Sequence, residues 1–406
     1  MRFNEQPIVN SLLDIDLNKL TMMQLVVHHF LDVKTEYKFI CRNKRVDLTP
    51  YIDEIRKEVA ALEHLEFRLN ELNFLKKIPF FKPKFIEFLR DFKFNIDDVK
   101  IEIIENKGKK ELSIKTNGFW WQNILYETYI LSIVNEIYFR EQIKKLTKRE
   151  KSDLFEDGRR RLGLKINKIK NRDDFKFSEM GTRRRFGREW QMEIVHYLKS
   201  EASSQLQGTS NLYLAYEFNL KAMGTMAHDY LQAFQSLSNK IENSQIDAMK
   251  YWILEYEDDL GVMLTDVITM DDFLIDFNLD FSNKFSGIRH DSGDPFIWAE
   301  KAISHYEKLG IDPKTKKLVF SDNLDFDKAI QIFDKYHEKT MISFGIGTNL
   351  TNDLGLEKID TVMKMVKCNG KSVAKISDSH LKSGDFDQLY LKKLNEIFKN
   401  KKKCKQ

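Results

Sequence analysis

The stretch GIRHDSGDPFIWAEKAISHYEKLG, Gly287 to Gly310, decides the fold. A short apolar entry ends in a polar knot of Arg289, Asp291, Ser292 and Asp294. Asp294 is placed to cap a helix, and Pro295 suits the first helical position. Trp298, Ala302, Ile303, Tyr306 and Leu309 then share one face at helical spacing, and Gly310 ends the run. LVF, Leu318 to Phe320, reads as the next strand. The spacing predicts strand, reactive loop, helix and strand in succession.

Outward from this stretch the layout recurs. Polar knots follow apolar runs at GTRRRF (Gly181 to Phe186), GTSN (Gly208 to Asn211), GTMAHD (Gly224 to Asp229), TDVITMDD (Thr265 to Asp272), SDNLD (Ser321 to Asp325) and FGIGT (Phe344 to Thr348). About seven such units predict an α/β fold, an incomplete TIM-like β/α barrel of about seven strands with its loops on one rim. An extended run, Ala222 to Thr225, is expected to lead into a helix at Ala227.

Residues 1–140 read as an N-terminal α+β domain. A helix is expected over Asp16 to Leu31, a strand over Glu36 to Arg42, and a helix over Thr49 to Leu75 capped by Thr49. VKIEIIENKG and KKELSIKTNG read as two strands joined by Asn106-Lys107-Gly108-Lys109. Phe119 to Glu141 is a long buried helix. Residues 141–390 are assigned to the barrel, and their charged opening to a solvated helix face. Near its end, VKCNGKSVAKISD carries an NG turn between extended runs, a hairpin signal. Residues 391–406 form a basic tail, and its last segment, KNKKKCKQ, is expected to be disordered.

The net charge of +4 over 406 residues is small and calls for no nucleic-acid partner. Cys41, Cys368 and Cys404 form neither a zinc pattern nor a disulfide framework, which fits a reducing cytoplasm. The N-terminus lacks the apolar core of a signal peptide, and no run approaches the roughly 18 apolar residues of a membrane span. P-loop, Rossmann, HExxH and GxSxG patterns are absent from the sequence. Any ATP is therefore bound without a Walker loop.

Four arginines, Arg183, Arg184, Arg185 and Arg188, precede or open a helix. Cations there oppose the helix dipole unless an anion sits among them; the alternative is pairing with Glu179, Glu189 and Glu193. His228 lies at a strand-to-helix turn, where an imidazole serves as general base, as phosphoryl acceptor, or simply as a satisfied polar group. Arg289 can clamp a phosphate or pyrophosphate. Asp291 can hold a ribose hydroxyl, a magnesium-bound water or a developing positive charge. FGIGT and the SDN around Asp322 resemble loops that bind phosphate through backbone N–H groups.

Together these segments resemble nicotinate phosphoribosyltransferases, in their bacterial ATP-using form. The resemblance rests on SLLDIDLNKLTMMQ, PFFKPKFIEFLRDFKFN, GTRRRF, GTSN, MGTMAHDYLQAFQ, LTDVITMDDFL, the stretch from Gly287 to Asp325, SFGIGTNLTND and VKCNGKSVAKISDS, in that order. It implies that nicotinate displaces pyrophosphate from 5-phosphoribosyl 1-diphosphate, giving nicotinate mononucleotide, the first step of NAD salvage from nicotinate. It also implies coupling to ATP hydrolysis through a transient phosphohistidine at His228, with Mg²⁺ as cofactor. Arg289 and Asp291 would face the ribosyl diphosphate and Asp266 would orient His228. Gly345, Gly347 and Thr348 would hold the 5′-phosphate. Arg184 or Arg185, with Ser210, would meet the nicotinate carboxylate, and Thr209 of the same GTSN knot would be among the substrate-binding residues. Phe186 would lie against the pyridine ring or pack in the helix core. The family implies a homodimer. Its usual Asp-x-Tyr-Lys motif stands here as Asp16-Leu17-Asn18-Lys19, so Asn18 replaces a tyrosine that stacks on the base. The competing readings are a nicotinamide phosphoribosyltransferase and a weakened, non-catalytic binder of phosphoribosyl ligands.

Overall fold

The computed structural model describes residues 7–106, 108–379 and 386–405. It is a mixed α/β fold built on two sheets. The first is antiparallel. Its strands are β1 (Lys34–Cys41), β2 (Val99–Asn106) and β3 (Lys109–Phe119). The second holds β4 (Phe177–Glu179), β5 (Leu206–Thr209), β6 (Val262–Leu264), β7 (Gly287–His290), β8 (Lys317–Phe320) and β9 (Met341–Ile346). The chain then returns to the first sheet with β10 (Thr361–Cys368) and β11 (Lys371–Ser372), giving the order β11-β10-β1-β3-β2. β10 and β11 form the expected hairpin; Asn369 and Gly370 carry it with φ of 47° and 73°. Asn106 pairs with Lys109 in the second hairpin. Lys107 of that turn lies outside the described residues.

The second sheet runs β5-β4-β9-β8-β7-β6, parallel at every step. One face of this sheet is apolar by register, and the other carries Ser178, Arg289, Ser343 and Gly345. Phe177, Ile288, Leu318, Phe320, Phe344 and Ile346 are all buried. Parallel strands carry their C-terminal ends to one edge, so the loops after β4 through β9 meet there. Among the described residues the sheet has six strands, against an expectation of about seven. The run Ala222 to Thr225 contributes a single bridge, Ala222 to Thr209. Gly224, at φ 147°, takes the backbone out of strand geometry. The run nevertheless touches both sheet edges: Met223 N donates to Thr209 O of β5 at 2.9 Å and Thr225 Oγ1 to Val262 O of β6 at 3.0 Å.

Three further expectations change. The segment from Thr49 to Leu75 is a helix over Ile52–Ala60 and another over Leu69–Leu75, because Leu65 and Arg68 are extended between them. Asp47, not Thr49, supplies the polar start: its Oδ1 accepts from Thr49 N at 2.9 Å and Thr49 Oγ1 at 2.7 Å. The tail is a helix, Gln388–Lys405. Leu391, Leu394 and Phe398 bury one apolar stripe, and Lys401 Nζ reaches Asp276 Oδ2 at 2.6 Å. That stripe outweighs the basic composition. Gln406 of the tail lies outside the described residues.

Candidate active site

His228 opens the helix His228–Leu237 and turns its Nε2 to three groups. Asp266 Oδ1, beyond β6, is 2.8 Å away, and Asp291 Oδ2, beyond β7, 3.3 Å. Lys375 Nζ, after β11, is 2.9 Å away. Asp266 Oδ2 also takes Lys375 Nζ at 2.5 Å and Ser292 Oγ at 2.6 Å. Ser321, the first residue beyond β8, donates its hydroxyl to Asp291 Oδ1 at 2.9 Å. The chain of contacts continues to β9 and β4. A Cβ on Gly345 would lie 3.3 Å from Ser321 Cβ and 2.5 Å from Met180 Sδ; one on Gly347 would lie 2.7 Å from Met180 O. Glycine at both positions thus lets the β4 and β9 loops touch. His228, Arg289 and Gly347 lie on one edge of the sheet.

Charge is balanced tightly here. Burial and then Lys375 hold the His228 imidazole below its ordinary range, against the pull of Asp266 and Asp291. Burial raises both carboxyls, but Lys375 and His228 overcome it: Asp266 falls well below the usual range and Asp291 to about 2. Among the described residues the Arg289 side chain, at the end of β7, makes no hydrogen bond or ion pair, and its Nε is sealed from solvent. Arg289 is half-buried, and a guanidinium whose Nε is sealed without a partner is costly unless a ligand arrives to pair it. Burial lowers it, while Asp291 and Asp266 support its charge.

The arginine knot divides its duties. Arg185, 1% exposed, forks onto Asp14 with Nη1–Oδ1 at 2.7 Å and Nη2–Oδ2 at 2.8 Å. Arg184 donates Nε to Thr361 O at 2.8 Å and pairs with Asp360 at 2.8 Å. Arg185 is thus engaged on both prongs, and Arg184 through Nε and Nη2. Arg183 is half-exposed, pairs with Glu127 at 2.8 Å, and lies near enough for Asp291 to reinforce its charge. Phe186 is fully buried against Phe139, with ring centroids 4.8 Å apart, so it packs in the core.

The N-terminal segment docks beside this edge. Leu17 N donates to Ser210 O at 2.7 Å, and Ser210 Oγ to Asp16 Oδ1 at 2.7 Å. Thr209 Oγ1 donates to Glu179 Oε2 at 2.6 Å. Asn18 sits against Gly224, and its Oδ1 is buried without a hydrogen-bond partner. Lys19, also buried, pairs with Glu127. Asp322 follows Ser321, close enough to His290 to act on its charge. Thr348 opens a single helical turn after β9, where the first N–H groups have no intrahelical partner.

The model of the "Nicotinate phosphoribosyltransferase (NAPRTase) family" matches residues 175–402, and that of its N-terminal domain residues 13–135. The chain belongs to the nicotinate phosphoribosyltransferase family. It is 45% identical to a nicotinate phosphoribosyltransferase of Cupriavidus necator over 96% of this chain and 98% of that one. The Burkholderia mallei enzyme is also 45% identical, over 96% and 97%. The crystal structure of a nicotinate phosphoribosyltransferase from Vibrio cholerae superposes with a TM-score of 0.91 at 38% identity, covering 98% of this chain and 95% of that one.

Two residues of this family member's site escape the sequence reading. Lys375 lies about 150 residues from His228 in the chain, inside the KISD run whose only evident signal is its extended pattern. Glu179 ends β4 fully buried, takes bonds from Thr209, Gly181 N and Gln191, and is raised by burial. Among the described residues His228, Asp266 and Asp291 are the one group close enough to hold a metal ion. They do not fit a resident cation, because the Lys375 ammonium already lies between His228 and Asp266. A cleft of about 200 Å³ lined by Leu162, Trp190, Ile194 and Tyr197 contains none of these groups. No helix among the described residues is long and apolar enough to cross a membrane.

Proposed function

We propose that this chain joins nicotinate to 5-phosphoribosyl 1-diphosphate, giving nicotinate mononucleotide and diphosphate, with ATP hydrolysis coupled through His228. The observation that carries the reading is Arg289: a guanidinium without a partner, beside Asp291, on the edge where six strand ends converge. An anionic leaving group supplies the partner it lacks. In transfer, the pyridine nitrogen attacks C1′ and the C1′–O bond breaks toward diphosphate. Asp291, held ionised, stabilises the positive charge that grows on the ribose. Gly347 and Thr348, where β9 ends, offer backbone N–H groups to the 5′-phosphate, and Gly345 gives the close approach of the loops around it. With Arg184 and Arg185 engaged elsewhere, Arg183 and Ser210 are the groups we assign to the nicotinate carboxylate.

Coupling uses the far side of the His228 ring. Nε2 faces Asp266, Asp291 and Lys375, while Nδ1 makes no hydrogen bond with a described residue. Its lone pair attacks the γ-phosphorus of ATP, ADP leaves with the electron pair of the broken P–O bond, and water later takes the phosphoryl group. Mg²⁺ would be held by the phosphates rather than by His228, Asp266 and Asp291, and would supply neutralisation of the phosphate charge. The contacts of residues 222–225 with both sheet edges support an incomplete barrel. The break between the two sheets supports a domain boundary near residue 140, with β10 and β11 returning to the first unit. Homodimerisation is carried over from the family and is read by light scattering.

The test is formation of nicotinate mononucleotide with and without ATP, for the native chain and His228→Ala. The native chain is expected to respond to ATP; the variant is expected to lose that response and keep slow transfer. An unchanged ATP stoichiometry in His228→Ala removes the phosphohistidine. Nicotinamide turned over faster than nicotinate, side by side, replaces the substrate.

A further inference from the structure

One lysine sits where the chemistry of His228 is decided. Nε2 of the ring faces Asp266 Oδ1 at 2.8 Å and Lys375 Nζ at 2.9 Å. An ammonium has three donors and no lone pair, and a carboxylate only accepts. Nε2 can donate to Asp266 or accept from Lys375, never both. Asp291 Oδ2, at 3.3 Å, adds a second acceptor on the same side. Asp266, Asp291 and Lys375 are the charged groups that face the ring among the described residues. Two carboxylates draw the proton to Nε2 and leave the Nδ1 lone pair toward the open site. Left alone, they would also draw on a second proton, and an imidazolium has no lone pair with which to accept a phosphoryl group.

We propose that Lys375 is a positioning residue that keeps the His228 ring neutral: its ammonium offsets Asp266 and Asp291, so the carboxylates fix the proton on Nε2 without a second one arriving on Nδ1. Lys375 is itself held for this work. Its side chain is 9% exposed, and Asp266 Oδ2 anchors it at 2.5 Å. The segment that carries it is tied down on both sides, by Ala374 N to Gln235 Oε1 at 2.9 Å and Ile376 N to Val267 O at 2.8 Å. The inference rests on His228 as phosphoryl acceptor.

The experiment compares the native chain with Lys375→Met, Lys375→Arg and Lys375→Met/Asp291→Asn. ¹⁵N NMR of histidine-labelled protein gives the protonation state of His228, assigned against His228→Ala. Rapid-quench labelling with γ-³²P-ATP across pH gives phosphoenzyme formation. The native ring is expected as the neutral Nε2–H form near pH 7. Lys375→Met is expected to move the acid limb of both readouts upward by about one pH unit or more, roughly a tenfold loss below the new midpoint, recovered in base. Lys375→Arg is expected to keep the native limb, and Asp291→Asn added to Lys375→Met to bring the NMR midpoint back down. Identical NMR titrations for the native chain and Lys375→Met would overturn the proposal. So would a loss of phosphoenzyme equal at every pH, which marks a merely structural lysine. Native chain that shows the neutral ring yet never acquires label overturns the acceptor reading while leaving the lysine's hold on the ring established by NMR.

Discussion

Arg185→Met tests whether the arginine knot serves the fold or the ligand. Arg185 and Asp14 form a two-pronged pair at 2.7 and 2.8 Å, each side chain 1% exposed. The Asp14 carboxyl is pushed up by burial, but Arg185 outweighs this and holds it below its ordinary value. The pair's contribution is therefore present above about pH 4 and fades as pH falls through the lowered value. Removing one member of a buried pair costs about 3–5 kcal/mol, because a charge is left without its partner. Asp14 would keep Asn211 Nδ2 at 2.7 Å and Arg188 Nε at 3.5 Å, which argues for the lower end. A loss of about 3 kcal/mol lowers the melting temperature of a chain this long by roughly 3–6 °C. Calorimetry near neutral pH reads it. Asp14→Asn in the same chain is expected to restore more than half, since the amide oxygen still accepts from Asn211. The folded fraction of Arg185→Met is expected to keep its nicotinate KM within about twofold. A native melting temperature with a KM raised by about a hundredfold would refute the reasoning and return Arg185 to the base.

Two further predictions follow the same logic of partners. Arg289→Met is expected to lower kcat/KM for the ribosyl diphosphate by about a hundredfold or more while leaving thermal stability about equal, since a half-buried cation without a hydrogen-bonded partner is removed; lower stability with unchanged kinetics would contradict it. Glu255 binds His28 Nδ1, His29 Nε2 and Gln24 Nε2, each at 2.9 Å, and is lowered to about 2 by His28 and His29 against burial. Its folded value lies below the unfolded one, so its contribution is present above about pH 4.5 and lost as pH falls toward 2. Glu255→Gln is expected to cost about 2 kcal/mol near neutrality and less than half of that near pH 3, read by urea melts at both.

What the sequence reveals depends on how local the deciding forces are. The unit from Gly287 to Gly310 is legible because its signals act within a few residues. Asp294 does cap the helix, accepting from Phe296 N at 2.7 Å and Ile297 N at 3.1 Å, and Gly310 does end it at φ 73°. The NG hairpin is legible for the same reason. Its destination is not: β10 pairs with β1 some 325 residues earlier, and its alternation of buried and half-buried positions says only that some sheet receives it. The tail misleads because its composition hides its spacing. Lysines dominate it, yet Leu391, Leu394 and Phe398 are placed for one helical face.

The site divides along the same line. Residues that end strands, His228 apart, declare themselves by position: Asp266, Arg289, Asp291, Asp322 and Gly347 all fall where a strand runs out. The arginines do not, because what separates Arg183 from Arg185 is the identity of a distant carboxylate. Asp14 claims Arg185 from 171 positions away, and Glu127 shares Arg183 from 56. Three adjacent guanidiniums with equal chemistry thus acquire unequal roles from their partners alone. Lys375 is the extreme case. Asp378, three residues on, accepts from Met270 N instead, so the meaning of Lys375 comes from the imidazole 147 residues before it and the carboxylate beside that ring. A buried cation is tolerated only where anions stand ready to pair it. The two carboxylates that mark His228 as reactive are therefore the same groups that required a lysine, and its place in the chain becomes known only when the fold brings the three together.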